Sequence, residues 1–249
     1  MVVFSHTREL KEAQFVDADL RGARFIETDL SGAVMRAVEV SGVEIDAPWL
    51  VHGKPLVVNG VDVVPFVEAE LNRRFEGRAD RRAGTPAGLR TAWSAVDRAW
   101  VAAVDRAATM PADAVEVSVA GEWSFAQTLR HLVLATDLWL GLTILALDQP
   151  FHPLGLCWQG AEETPFDPSI FVVDTPSYAD VLKARAGRVA MVREFLATVT
   201  PEELKTPRQN PWSPERPETT LSCLHVILEE EWEHLRFALR DLDVIESSA

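Results

Sequence analysis

Apolar residues recur every five positions near the start of the chain, a spacing that fits neither a helix nor a strand. Phe15, Leu20, Phe25, Leu30, Met35, Val40 and Ile45 form the ladder. Two residues before each stands a mostly small one: Ala13, Ala18, Ala23, Thr28, Ala33, Val38 and Val43. Five residues advance a helix by about 500°, which would smear the apolar positions around its surface, and strand alternation has period 2. The period therefore predicts a repeat architecture of its own over roughly Glu12 to Ala47.

After Trp49 the pattern changes. Two β-branched runs in LVHGKPLVVNGVDVV, broken by Gly53-Lys54-Pro55 and Asn59-Gly60, predict a tight hairpin, and a short helix comes next over Pro65 to Phe75. Thr85 before Pro86 is an N-cap and first-turn pair, and Leu89, Trp93, Val96, Trp100 and Val104 then recur at helical spacing up to Ala108. Ser124 opens a second long helix through Phe125, Leu129, Leu132, Val133, Ala135 and Leu140, apolar nearly all round and so buried in a bundle. A third helix spans about Ser177 to Val199, with Ser177 as cap. A fourth starts at Thr219 or Thr220 and turns Leu224, Ile227, Leu228, Leu235, Ala238 and Leu242 toward a core. The connections are irregular: Asp148 to Pro176, rich in Pro and aromatic residues and a candidate cleft lid, and Pro201 to Pro217. Four long helices with two long crossovers predict a mainly α protein built as a four-helix bundle. The domain reading is a repeat cap over residues 1–48 and a bundle over 49–249, with the hairpin and short helix at 49–76.

The five-residue ladder resembles the pentapeptide-repeat family, whose A-(D/N)-L-x-x units build a right-handed, four-sided β-helix. Seven units make slightly less than two coils, too few to bury a core alone, so the ladder is expected to dock on the rest of the chain. Its primary reading is a stacking scaffold. Long acidic members of that family imitate DNA, but this ladder is too short to imitate much duplex.

Composition narrows the partners. Hydrophobic residues make up 47% and charged residues 25%, an ordinary globular balance. The net charge of −14 repels polyanions, so nucleic-acid binding would need a basic patch. The densest basic stretch, Arg73 to Arg82, also holds Glu76 and Asp80 and reads as a solvated linker. The N-terminus lacks a signal-peptide pattern, and the most apolar stretch, Leu132 to Leu147, contains Asp137 and is too short for a bilayer. A cytoplasmic protein without nucleic-acid or membrane partners is expected. Cys157 and Cys223, with no CxxC context, read as small core residues.

Two segments carry candidate chemistry. His131 lies about two turns into the apolar second helix, and on the fourth helix Glu229-Glu230-Glu231-Trp232-Glu233-His234 interrupts an apolar face. Glu230 and His234 stand at i and i+4, one turn apart on the same side, and can grip one ion together. With His131 opposite, the set would be two imidazoles and a carboxylate with open positions, suited to Zn²⁺ or Ni²⁺ that activates a water or a thiol. The bland alternative is a solvated acidic run and a core histidine. Glu231 with His234 forms a rival E-x-x-H pair of the di-iron type, but the second such pair is missing from the sequence.

GEWSFAQTLRHLVLATDLWL (121–140) and CLHVILEEEWEHLRFALRDLD (223–243) resemble the second and fourth helices of the DinB-like superfamily of metal-binding four-helix bundles. That resemblance covers roughly Val57 to Asp243. It implies one His on the second helix and an H-x-x-x-H pair on the fourth, or E-x-x-x-H in the mycothiol-dependent maleylpyruvate isomerase branch; His131, Glu230 and His234 fit the latter. A Glu at the first position makes the site less positive by one unit and favours hard divalent ions slightly more. The isomerase carries a further C-terminal domain, whereas this sequence ends at Ala249. The resemblance therefore points to the S-transferase branches, which use mycothiol or bacillithiol against an electrophile.

Around this set, Trp123, Trp158, Trp212 and Trp232 are candidate cleft walls or packing residues. Arg130, about 100° round the helix from His131, and Arg236, about 200° from His234, are expected to face solvent or acidic partners. His152 reads either as a fourth ligand or general acid that swings in, or as a turn residue bonding backbone. His225 falls on the opposite side of the helix from His234, and His6 and His52 offer no partner. The leading expectation is a metal-dependent, mycothiol-type thiol S-transferase, with homodimerisation through helix faces plausible. The rival is a non-catalytic interaction or scaffold protein that uses the repeat surface.

Overall fold

The five-residue period of the sequence is written directly into the backbone. In the computed structural model, which describes residues 2–157, 164–172 and 174–248, left-handed φ angles fall at Glu12, Asp17, Gly22, Glu27, Gly32, Ala37 and Gly42. Each comes two residues after a ladder position or its equivalent at Leu10. Tight turns close every second unit, as in Ala23 N–H to Leu20 O (3.0 Å) and Ala33 N–H to Leu30 O (2.9 Å). These repeats form one compact unit, Met1–Asp46, and the rest of the chain forms another, Ala47–Ala249. Among its described residues the repeat unit has no strand, and its apolar ladder stays open, with Phe15 58% and Leu20 46% exposed. So few stacked repeats leave their apolar residues without a neighbour above or below to cover them.

In the second unit the elements follow the sequence pattern. Asn59 and Gly60 take left-handed φ angles of 50° and 84°, the backbone of a two-residue turn that matches strand twist. The strands joined by it, β1 (Val57–Val58) and β2 (Val61–Asp62), pair antiparallel. Helix α1 spans Val64–Arg74. Helix α2 (Pro86–Ala108) starts at Thr85, whose hydroxyl accepts the Gly88 N–H at 3.1 Å. Helix α3 (Phe125–Thr136) opens with a reciprocal capping box between Ser124 and Gln127. It continues not as an α-helix but as a π-helical segment, Asp137–Ile144. Asp137, fully buried, is held there by Arg188 (2.7 Å) and the His152 N–H (2.8 Å). Helix α4 spans Tyr178–Thr198 behind a Ser177 cap, and α5 spans Thr220–Ser248. Between them, β3 (Pro207–Arg208) pairs with β4 (Glu218–Thr219), order that the sequence reading of an irregular loop missed.

Helices α2 and α3 each pack against α4 and α5, so the four run round the bundle in the order α2, α4, α3, α5, and the connections that cross it are α2 to α3 and α4 to α5, not the long one between the neighbours α3 and α4. Leu89, Val96, Leu129, Leu132, Leu140, Ile227, Trp232 and Leu235 are all but sealed in the core. Among the described residues no helix is long and apolar enough to cross a membrane.

The charges on α5 explain the basic stretch before α2, which is not a solvated linker. Arg78 and Arg81 are buried in a 3₁₀ turn, Arg78–Arg82. Arg78 reaches Glu233 (3.1 Å) and Glu68 (2.9 Å), Arg81 reaches Glu68 (2.6 Å), and Arg82 reaches Glu229 (2.7 Å). On another side of α5, Arg185 of α4 pairs with Glu231. A carboxylate inside a bundle must be neutralised or protonated. Glu231 and Glu233 thus each hold a buried arginine and Glu229 meets the exposed Arg82, and those pairs fix the rotation of α5.

This packing makes two substitutions informative about stability. Arg185→Met leaves the buried Glu231 unpaired and is expected to cost about 3–5 kcal/mol in urea unfolding, most of which the double variant with Glu231→Leu recovers. Gly77 combines φ +87° with an absent Cβ that would lie 2.4 Å from Ala95 Cβ, whereas Gly121, at φ +82°, has open space. Gly77→Ala should therefore cost about 2–4 kcal/mol, and Gly121→Ala only about 1–2 kcal/mol.

Candidate metal centre

The capping box at Ser124 sets where α3 begins and hence where His131, two turns on, projects between the helices. On α5, the i to i+4 spacing stacks Glu230 and His234, and the arginine pairs of Glu229, Glu231 and Glu233 turn that stack toward α3. The outcome is convergence. Glu230 Oε2 lies 3.4 Å from His131 Nε2 and 3.2 Å from His234 Nε2. The imidazole centroids are 4.7 Å apart. One ligand atom from each of the three residues lies within 4.8 Å of the others, the group of described residues fit to hold a cation. For metal–ligand bonds of about 2.0–2.1 Å in a tetrahedron, neighbouring ligand atoms stand about 3.3 Å apart, so both carboxylate–imidazole separations match what a Zn²⁺-type ion requires.

The surroundings favour that chemistry. The Leu156 carbonyl lies 3.2 Å from His131 Nδ1. A proton held there leaves the lone pair of Nε2 facing Glu230, the arrangement metal-binding histidines use. Burial works to raise the Glu230 carboxyl, but the two imidazoles outweigh it and hold it well below the usual carboxylate range. Burial, with His131 alongside, holds His234 below its ordinary value against the pull of Glu230. Of the four carboxylates between 229 and 233, Glu230 is the one whose ion-pair partners are imidazoles rather than guanidinium groups. Trp123, half-buried, covers both rings, with its centroid 4.6 Å from His131 and 5.9 Å from His234.

The remaining sequence candidates lie elsewhere. Glu231 faces Arg185, so the E-x-x-H alternative fails geometrically. His152 is the turn residue: its Nδ1 accepts the Leu154 N–H at 3.1 Å, and burial lowers its pKa. His225 donates to the Ala83 carbonyl at 2.9 Å, away from His234 as its spacing implied. Trp232 is core packing against Phe75, and Trp212 sits with Phe166; Trp158 lies outside the described residues. Cys223 is buried, which pushes its thiol up to about 12, and Cys157 is half-buried.

Two expectations are corrected. His52 has a partner: its Nε2 lies 2.7 Å from Glu229, beside Arg82. Arg130 faces neither solvent nor, among the described residues, an acid at ion-pair distance. It is buried, donating to the carbonyls of Leu154 (3.0 Å) and Val172 (3.2 Å), and so clamps the loop that supplies Leu156 to His131. No side-chain pattern announces a backbone acceptor such as Leu156 O. The arginine matching was missed, and the signal that could have found it is the run of four carboxylates on a helix with an apolar face, which requires cations from other elements.

Comparison with known families matches residues 95–238 to the DinB superfamily and residues 10–46 to pentapeptide repeats in 8 copies, one more than the seven units read from Ala13 onward. No curated protein and no solved structure was found to match the chain. The first match covers more than half of the chain and includes His131, Glu230 and His234. With its bundle and that match together, the chain belongs to the DinB superfamily and carries pentapeptide repeats at its N-terminus.

Proposed function

We propose that His131, Glu230 and His234 hold one divalent cation, zinc or nickel, and that the protein is a cytoplasmic thiol S-transferase acting with a low-molecular-weight thiol of the mycothiol type. The observation that carries this reading is the spacing of the ligand atoms, 3.2 and 3.4 Å from the Glu230 oxygen to the two imidazole nitrogens. A cation held by three protein ligands keeps positions open and lowers the pKa of a thiol or water bound there. The chain's own residues prepare that place. Glu230 supplies one negative charge, Leu156 O fixes the tautomer of His131, and the arginines on Glu229, Glu231 and Glu233 keep competing carboxylates away. No protein nucleophile is needed. Buried Cys223, its thiol pushed up to about 12, is unfit for that role.

The exposed apolar ladder, with Phe15 and Phe25 each 58% open, favours a second reading as an interaction protein. Metal analysis separates the two. The full chain should take up one Zn²⁺ or Ni²⁺, and His131→Ala, Glu230→Ala or His234→Ala should each weaken binding by more than about 100-fold, beyond the loss typical of a supporting partner. A chain that binds no divalent ion supports the interaction reading instead. Metal binding also competes with protons at the imidazoles. Because His234 is held below its ordinary value, bound metal should persist as pH falls through the ordinary imidazole range and be lost only below it. Metal content measured after dialysis across that range reads this out.

A further inference from the structure

The two imidazoles share one cover, and that cover is not part of a helix. Trp123 stands on the turn just before the Ser124 cap, and its ring lies within 26° of parallel to His234 while also overlying His131. The turn bends through two consecutive left-handed residues, Ala120 (φ 55°) and Gly121 (φ 82°). It is closed locally by Glu122 N–H to Val119 O (3.0 Å) and the Ser118 hydroxyl to Glu122 O (2.5 Å). One of its ties to the bundle, besides the contacts of the indole itself, is ionic: the Glu122 carboxylate accepts from Arg240 of α5 at 2.5 Å. The Arg240 guanidinium lies 5.3 Å from the Phe237 ring centroid, and Phe237 meets His234 edge-on at 5.9 Å, so this tie lies at the His234 side of the site. The exposure of its carboxylate sets it apart from the arginine pairs on Glu229, Glu231 and Glu233. The Glu122 side chain is 46% exposed and that of Arg240 29%, whereas those three carboxylates are 7% exposed or less. An exposed ion pair is worth little and is screened by salt.

Resting on the metal reading above, we propose that Trp123 is the gate of the His131/Glu230/His234 site and that Glu122–Arg240 is its latch. A ligand reaches the open side of the imidazoles only when the indole leaves them. The indole can leave because it rides on a short turn hinged at Ala120 and Gly121, not on the body of α3. The latch is weak enough to open without disturbing the bundle, whose rotation is fixed by the buried pairs.

The test uses metal-free full-length protein and diethylpyrocarbonate, which acylates accessible imidazoles, with each histidine followed by peptide mass spectrometry. Glu122→Gln should speed modification of His131 and His234 by about two- to five-fold, the range an exposed ion pair commands. Trp123→Ala should speed it further, while His52, His152 and His225 keep their rates. Added NaCl should accelerate the same two sites in the parent protein and not in Glu122→Gln. Unchanged rates at His131 and His234 in both variants, or an equal rise at every histidine, would overturn the gate. Because this footprint needs no metal, a failed gate and a failed metal site give separate results: the first leaves cation uptake intact, and the second leaves the footprint intact.

Discussion

Charge inside the bundle has to be matched, and the matching on α5 organises the rest of the structure. A helix that carries four carboxylates between positions 229 and 233 cannot enter an apolar core unless each finds a cation. Arg82 and His52 meet Glu229, Arg185 meets Glu231, and Arg78 and Arg236 meet Glu233. Because these partners come from several different segments, they pull α5 into one rotation. That rotation presents Glu230 and His234 to His131. Glu231, by contrast, remains above the ordinary carboxylate range because burial outweighs the attraction of Arg185. That pair is a constraint on register more than a source of stability.

Much of this was legible in the sequence. The caps at Thr85, Ser124 and Ser177 marked three helix starts, and Asn59-Gly60 marked the hairpin, because those residues act through local backbone chemistry that needs no tertiary context. The E-x-x-x-H spacing put Glu230 and His234 on one helix face for the same reason. Tertiary partners were harder to see. Arg78 and Arg81 stand in a run of mixed charge that reads as solvated, and only the carboxylates on other helices reveal why they are buried. His52 belongs to the same class, since its partner Glu229 lies 177 residues away. Asp137 interrupted the apolar stretch visibly, but its partners, Arg188 and the His152 amide, come from other segments, and the π-helical segment that starts there left no sign in the pattern.

The two halves of the chain place different demands on their sequences. In Ala47–Ala249 a deep core supports a polar site at its centre, and stiffness comes from buried pairs and sealed leucines. In Met1–Asp46 the backbone repeats faithfully every five residues, yet its ladder remains exposed, since too few coils are present to enclose it. Within the bundle the loops have specific roles. The segment gripped by Arg130 hands Leu156 O to His131, and the turn before α3 lays Trp123 over both imidazoles.

The claim that α5 is rotated so that Glu230 alone is left for a cation is tested most directly by anomalous diffraction from a crystal of the full chain grown with nickel. A single strong peak is expected at about 2.0–2.2 Å from His131 Nε2, His234 Nε2 and a Glu230 oxygen. A peak seated on Glu229 and His52, or no peak at the three residues, would contradict it.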